Sequence, residues 1–118
     1  QAGIIYEERD MKLYNTAVSD FNKANALLNE FIQYRNNRFM PAREETYIYK
    51  MLSESAVYIL SANNKLNTLS HSETNDQYDP GLLINRLFML SRKLEEQQLF
   101  LGRYFSSNTP EREKLFFK

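Results

Sequence analysis

Apolar side chains recur every three or four residues along the first third of the chain, which is the spacing of one face of an α-helix. The series is Tyr14, Ala17, Phe21, Ala24, Leu28 and Phe31. Asn36 and Asn37 follow it, and asparagine tolerates the left-handed backbone conformation that ends many helices. The pattern therefore predicts a first helix over about residues 6–36.

A second series begins behind Pro41, which suits the first turn of a helix because its missing N–H needs no partner there. Glu44 and Glu45 add negative charge where the helix dipole is positive. The series then alternates steps of four and three through Ile48, Leu52, Ser55, Ile59, Ala62, Leu66 and Leu69. A neighbouring stripe comprises Tyr47, Met51 and Tyr58. We predict a second helix over about residues 41–69, with apolar contacts on two flanks.

The polar stretch 70–79 has no periodicity and is predicted to be a loop. Asp79 is then predicted to be the N-cap of the next helix, and Pro80 its first residue. A third series follows at Leu83, Leu87, Leu90, Leu94, Gln97, Leu101 and Tyr104. This predicts a helix over about residues 80–105, within which Gly102 marks either a close helix contact or a weak point.

The sequence Thr109-Pro110-Glu111 repeats this helix-start signal. A short fourth helix is therefore predicted from about residue 110, carrying Leu115, Phe116 and Phe117. Because the connections are short, neighbouring helices are expected to run in opposite directions. The expected fold is one all-α domain over residues 1–118, an antiparallel up-down bundle of three long helices with a short fourth.

Composition changes this picture little. Three glycines and three prolines in 118 residues are too few for the turns of an all-β domain, and 15 basic residues balance 15 acidic ones. There is no apolar run of membrane-spanning length. The chain begins at Gln1 and has no cysteine, as in a mature secreted protein and equally in a domain of a larger one. We expect a periplasmic or secreted protein of the cell envelope.

Catalytic patterns are missing from the sequence. There is no Glu-x-x-His pair for a bundle metal site and no Gly-x-Ser-x-Gly elbow, and the three glycines are scattered. The one histidine, His71, lies in the predicted loop. We predict no enzyme activity, no metal and no cofactor.

Two sets of contact residues are predicted. Large apolar side chains beyond the main seam mark contact surfaces, and these are Tyr47, Met51, Tyr58, Leu115, Phe116 and Phe117. The basic residues Arg35, Arg38 and Arg43 near the first turn form a candidate anion contact. The helix dipole offers another explanation for these charges, because cations are favourable near the C-terminal end of the first helix.

The sequence therefore favours a non-catalytic interaction or structural module whose partner is another protein or a second copy, with no nucleic acid bound and no membrane span. The alternative is a sensory domain that binds a small molecule between its helices. Its hydrogen bonds would then come from the polar seam residues Ser55 and Gln97. Polar seam residues can equally fix the register of neighbouring helices.

Overall fold

The computed structural model describes residues 2–37, 39–70 and 73–106, with side chains from Glu8 onwards except at Asn37. Three α-helices fill most of these ranges: α1 (Ala2–Asn37), α2 (Glu45–Leu66) and α3 (Pro80–Ser106). Within the described residues there is no β-strand, and a single bridge joins Asn75 to Tyr78. The predicted all-α class is confirmed. The predicted fourth helix, with Leu115, Phe116 and Phe117, lies outside the described residues.

The second helix is shorter than predicted because both of its ends change hydrogen-bond spacing. A 3-10 turn, Ala42–Glu44, follows Pro41, so the α-helix begins only at Glu45. At the other end the N–H groups of Thr68 and Leu69 donate to carbonyls three residues back instead of four. Tightening of this kind satisfies the carbonyls that a helix end leaves free.

Side-chain contacts show that α1 and α2 run in opposite directions. Arg9, near the start of α1, donates to the Thr68 carbonyl beyond the end of α2. In the middle, Ser55 Oγ donates to the Ala24 carbonyl at 2.9 Å. A contact at the end of α1 joins Tyr34 to Glu44, just before α2.

Contacts between α1 and α3 instead keep one order along the chain, so these helices run in the same direction. The aromatic rings of Tyr14 and Tyr78 lie 5.1 Å apart, and Lys93 Nζ donates to Asn29 Oδ1 at 3.0 Å. Both pairs join residues 64 positions apart, and so does the contact of Met40 with Tyr104. The contact of Arg35 with Gln97 joins residues 62 positions apart, so the offset between α1 and α3 stays nearly the same along the two helices.

The core lies along the shared seam of the three helices, and it contains small as well as large side chains. Ala24 and Ser55 are fully buried where α1 meets α2, which lets the two backbones approach closely. Leucine dominates the α3 side, from Leu83 to Leu101. The part of the chain that the structure describes is a rod of 66 × 22 × 18 Å.

The segment between α2 and α3 is polar, yet it is anchored at its end. Asp79 caps α3 by accepting a hydrogen bond from the Leu82 N–H at 3.1 Å on Oδ1, as predicted from the Asp-Pro pair. Tyr78, directly before it, is fully buried against Tyr14. The α2–α3 connection is therefore tied to α1 through an aromatic contact.

Candidate binding grooves

A groove of about 710 Å³ lies between α1 and α3. We call it the α1–α3 groove. It is lined by Phe21 and Asn25 from α1 and by Asn85, Arg86, Met89, Leu90, Arg92, Lys93 and Glu96 from α3. Helical periodicity explains the α3 contribution, because Arg86, Met89, Lys93 and Glu96 follow one another in steps of three and four.

Apolar side chains form the floor of the α1–α3 groove. Leu90 is buried and Phe21 half-buried, whereas Met89 has 67% of its surface exposed. Methionine is flexible and polarisable, and it adapts well to irregular apolar partners. An exposed methionine inside a concave surface can therefore lose its contact with water when something binds.

The walls of the groove are predominantly basic. Arg86, Arg92 and Lys93 supply three positive charges against the single negative charge of Glu96. Lys93 Nζ makes its hydrogen bond to the neutral Asn29 side chain, and the Arg92 guanidinium lies 5.9 Å from the centre of the Phe88 ring. Among the described residues, none of these three cations forms an ion pair with an acid. The groove therefore attracts anions, although the whole chain is neutral.

A smaller groove of about 180 Å³ lies on the other flank of α1, against α2. Its lining brings together two of the predicted contact residues, Tyr47 and Met51. Tyr47 is 57% exposed, but Met51 is only 8% exposed and belongs to the core. The third residue of that stripe, Tyr58, is half-buried with Lys23 Nζ 5.5 Å from its ring centre. Only Tyr47 is thus exposed as a partner contact would require.

Of the three predicted anion-contact arginines, the structure describes Arg35 and Arg43. Arg35 Nε donates to Gln97 Oε1 at 2.8 Å, and its guanidinium lies 4.1 Å from the centre of the Phe100 ring. Burial of this guanidinium lowers the pKa of Arg35. Arg43 is exposed on the 3-10 turn, and Arg38 lies outside the described residues. Arg35 therefore joins α1 to α3.

The polar seam residues Ser55 and Gln97 form hydrogen bonds between helices of the fold. Ser55 donates to the Ala24 carbonyl, and Gln97 accepts from Arg35. Both contacts join neighbouring helices, which favours the interpretation that these residues fix helix register. Neither residue lines the two grooves.

Residues 2–37, 39–70 and 73–106 show neither a metal-binding cluster nor a membrane-spanning helix. No three His, Cys, Asp or Glu side chains among them come close enough together to hold a metal ion. In the same part of the chain, no helix combines the length and the apolar character needed to cross a membrane. His71 lies outside the described residues.

The sequence analysis missed the groove residues because each one resembles an ordinary solvated helix position. Arg86, Met89 and Lys93 flank the buried seam residues Leu87, Leu90 and Leu94. The available signal is a large apolar residue, Met89, placed between two cations on the same side of a helix.

Neither a scan against family models nor searches of curated proteins and solved structures found a match to the chain.

Proposed function

We propose that the chain is a non-catalytic protein-interaction module that binds a segment of another protein in the α1–α3 groove. The observation that supports this is the exposed Met89 side chain on the floor of a groove whose walls carry charge. Interfaces commonly combine an apolar centre with a polar rim. The proposed fold retains the predicted short fourth helix, and the periplasmic or secreted location stays a prediction.

The shape of the groove favours a peptide segment over a compact ligand. Its α3 wall extends from Asn85 to Glu96, which corresponds to about 17 Å of helix. Side chains in steps of three and four along such a wall suit a helical partner that presents residues at the same spacing. Drug-sized ligands usually lose most of their surface to the pocket, whereas Met89 here faces solvent.

Peptide selection tests this function. A random peptide library is selected on the full chain, and the affinities of enriched peptides are measured for the wild type and for Met89→Gln. The control is Leu99→Gln, because Leu99 is 66% exposed on the same helix but does not line the groove. We expect enriched peptides to lose at least about tenfold in affinity with Met89→Gln and to keep it with Leu99→Gln. Equal binding to both variants, or no enrichment, would contradict the proposal.

Small-molecule binding is a second candidate function. A volume of about 710 Å³ is within the usual range for ligand pockets. A ligand of this groove should raise the Tm of the wild type in a thermal-shift screen and should raise the Tm of Met89→Gln much less. A compound that raises the Tm of the wild type much more than that of Met89→Gln would favour small-molecule binding, provided that the peptide selection yields no peptide whose affinity depends on Met89.

Self-association through the C-terminal apolar residues is the remaining form of the interaction hypothesis. Light scattering over a hundredfold range of concentration measures it directly on the full chain. A triple variant, Leu115→Ser, Phe116→Ser and Phe117→Ser, removes the predicted apolar contact. Association that the triple variant abolishes would make these residues a docking element. A monomer that is only destabilised by the variant would assign them to the core.

A further inference from the structure

We infer that the segment bound in the α1–α3 groove is an acidic amphipathic helix, with two acidic residues seven positions apart and apolar residues between them. This inference rests on the proposed function and adds the chemistry of the partner. It follows from the order of charges along one wall of the groove.

On the α3 side of the groove, one apolar side chain lies between two cations. Arg86 and Lys93 are seven residues apart on α3, with Met89 between them. Seven residues correspond to about 10 Å along a helix axis, so two acids at the same spacing on a partner helix can face both cations. Apolar partner residues three and four positions after the first acid then lie at the level of Met89, between the two cations.

Glu96 gives the groove a direction. It lies three residues beyond Lys93 and is the only acid among the described residues of the lining. A third acid on the partner next to Glu96 would be repelled, since like charges at close range cost free energy. The partner helix should therefore carry a neutral or basic residue at that end.

The cations of the groove can accept such a partner without breaking an existing ion pair. Arg86 and Arg92 have none within the part of the chain that the structure describes, and the bond from Lys93 goes to a neutral amide. The aliphatic stems of these side chains also extend the apolar floor. An acidic amphipathic helix would thus meet both the charge and the apolar surface of the groove.

A second copy of this chain does not fit the required spacing. No two of its 15 acidic residues are seven positions apart, so none of its helices can present acids to Arg86 and Lys93 together. The residues after Ser106 are included in this count. The charge pattern therefore points to a different protein as the partner.

Three designed peptides of about 15 residues test the inference on the full chain. The first places glutamates seven apart with two leucines midway, the second replaces the glutamates with lysines, and the third moves the glutamates to the opposite face. Dissociation constants are measured by fluorescence anisotropy for the wild type, Arg86→Gln, Lys93→Gln and the control Lys12→Gln. Lys12 is an exposed cation outside the groove.

We expect the first peptide to bind at least about tenfold tighter than the other two, and to lose about tenfold with Arg86→Gln or Lys93→Gln. Its affinity should also fall with added salt, since screening weakens exposed charge pairs. Lys12→Gln should leave the affinity unchanged. Because Arg86 and Lys93 are exposed, these variants are expected to keep the fold.

Different outcomes would contradict the acidic partner and the groove itself as a binding site. Binding of the lysine peptide or the displaced-acid peptide as tightly as the first, with loss in Met89→Gln, would overturn the acidic partner and retain the groove. An absence of any Met89-dependent binding, here and in the library selection, would overturn the groove itself. Tighter binding of a single-stranded RNA or of phosphatidylserine vesicles, lost in Arg86→Gln, would overturn the protein partner in favour of that anion.

Discussion

The hydroxyl of Tyr104 makes two hydrogen bonds to the backbone of Met40. It accepts from the Met40 N–H at 2.8 Å and donates to the Met40 carbonyl at 3.0 Å. Both residues are fully buried, and the rings of Phe39, Phe100 and Phe105 surround Tyr104. The connection between α1 and α2 is thus attached to the end of α3 by one side chain.

Removal of this hydroxyl should destabilise the protein. In Tyr104→Phe the ring stays in place, but a buried N–H and a buried carbonyl lose their shared partner. An unsatisfied buried polar group costs about 1–3 kcal/mol, so we expect the free energy of unfolding to fall by about that amount in a urea titration.

Tyr49→Phe is the matched control for this variant. Tyr49 packs against Phe105 in the same aromatic cluster, with ring centres 6.2 Å apart, and is only half-buried. Loss of its hydroxyl should change the free energy of unfolding by less than about 0.5 kcal/mol. Equal effects of the two substitutions would show that the bonds to Met40 contribute nothing specific.

This relationship shows what the sequence could and could not predict. The three-four periodicity predicted Tyr104 as part of the α3 seam, and it predicted the three helices that the structure has. It did not predict that Met40 and Tyr78 are buried, because neither belongs to a periodic series. Periodicity reports which face of a helix is buried, whereas the partners of residues outside helices depend on the packing of distant segments.

The grooves illustrate the same limit. Met51 was expected in a contact surface because its stripe is separate from the main seam, but its side chain is only 8% exposed and belongs to the core. Arg86 and Lys93 were not distinguished from other surface cations, since their significance depends on Phe21, which is more than 60 residues away in the sequence. Spacing along one helix contains no information about the helix that faces it.

Asp10 provides a second prediction, on the α2–α3 connection. Its fully buried carboxylate accepts a hydrogen bond from the Ser70 N–H at 3.0 Å. Asp10→Ala leaves that N–H without its partner, so we expect a loss of about 1–3 kcal/mol in unfolding free energy. Hydrogen exchange at the Ser70 amide should accelerate more than exchange at amides in the middle of α2.

Asp76→Ala is the control for Asp10→Ala, because Asp76 is an exposed acid in the same connection. It should leave both the stability and the exchange of the Ser70 amide unchanged. If Asp10→Ala left the Ser70 amide equally protected, the hydrogen bond would not hold the connection in solution.

Tyr78 makes stability depend on pH in the alkaline range. Burial raises the pKa of Tyr78 above its ordinary value of 10.0, and the nearby Asp10 and Tyr14 raise it further. Above about pH 10 the unfolded chain therefore loses this proton before the folded chain does. The free energy of unfolding should be constant below that pH and should fall as pH rises towards the pKa of the folded state.

Urea titrations at about pH 9 and about pH 11 measure this fall. At about pH 9 the free energy of unfolding of Tyr78→Phe should be lower than that of the wild type. The decrease in this free energy between about pH 9 and about pH 11 should, however, be smaller in Tyr78→Phe. Some loss should persist in this variant, because burial and the charge of Glu45 also raise the pKa of Tyr49. Identical losses for both proteins would mean that Tyr78 ionises as readily in the folded state as in the unfolded one.

Gly102 offers a stabilising substitution. It is exposed within α3, and a Cβ atom added there would meet no atom within 4 Å. The close helix contact that the sequence allowed is therefore absent at this position, and the weak-point interpretation applies. Alanine should raise the free energy of unfolding by about 0.5–1 kcal/mol, because it restricts the unfolded chain and favours the helix. Gly81→Ala in the first turn of α3 is the control, since helix propensity acts mainly in helix interiors. A neutral or destabilising Gly102→Ala would show that α3 is not helical at this point in solution.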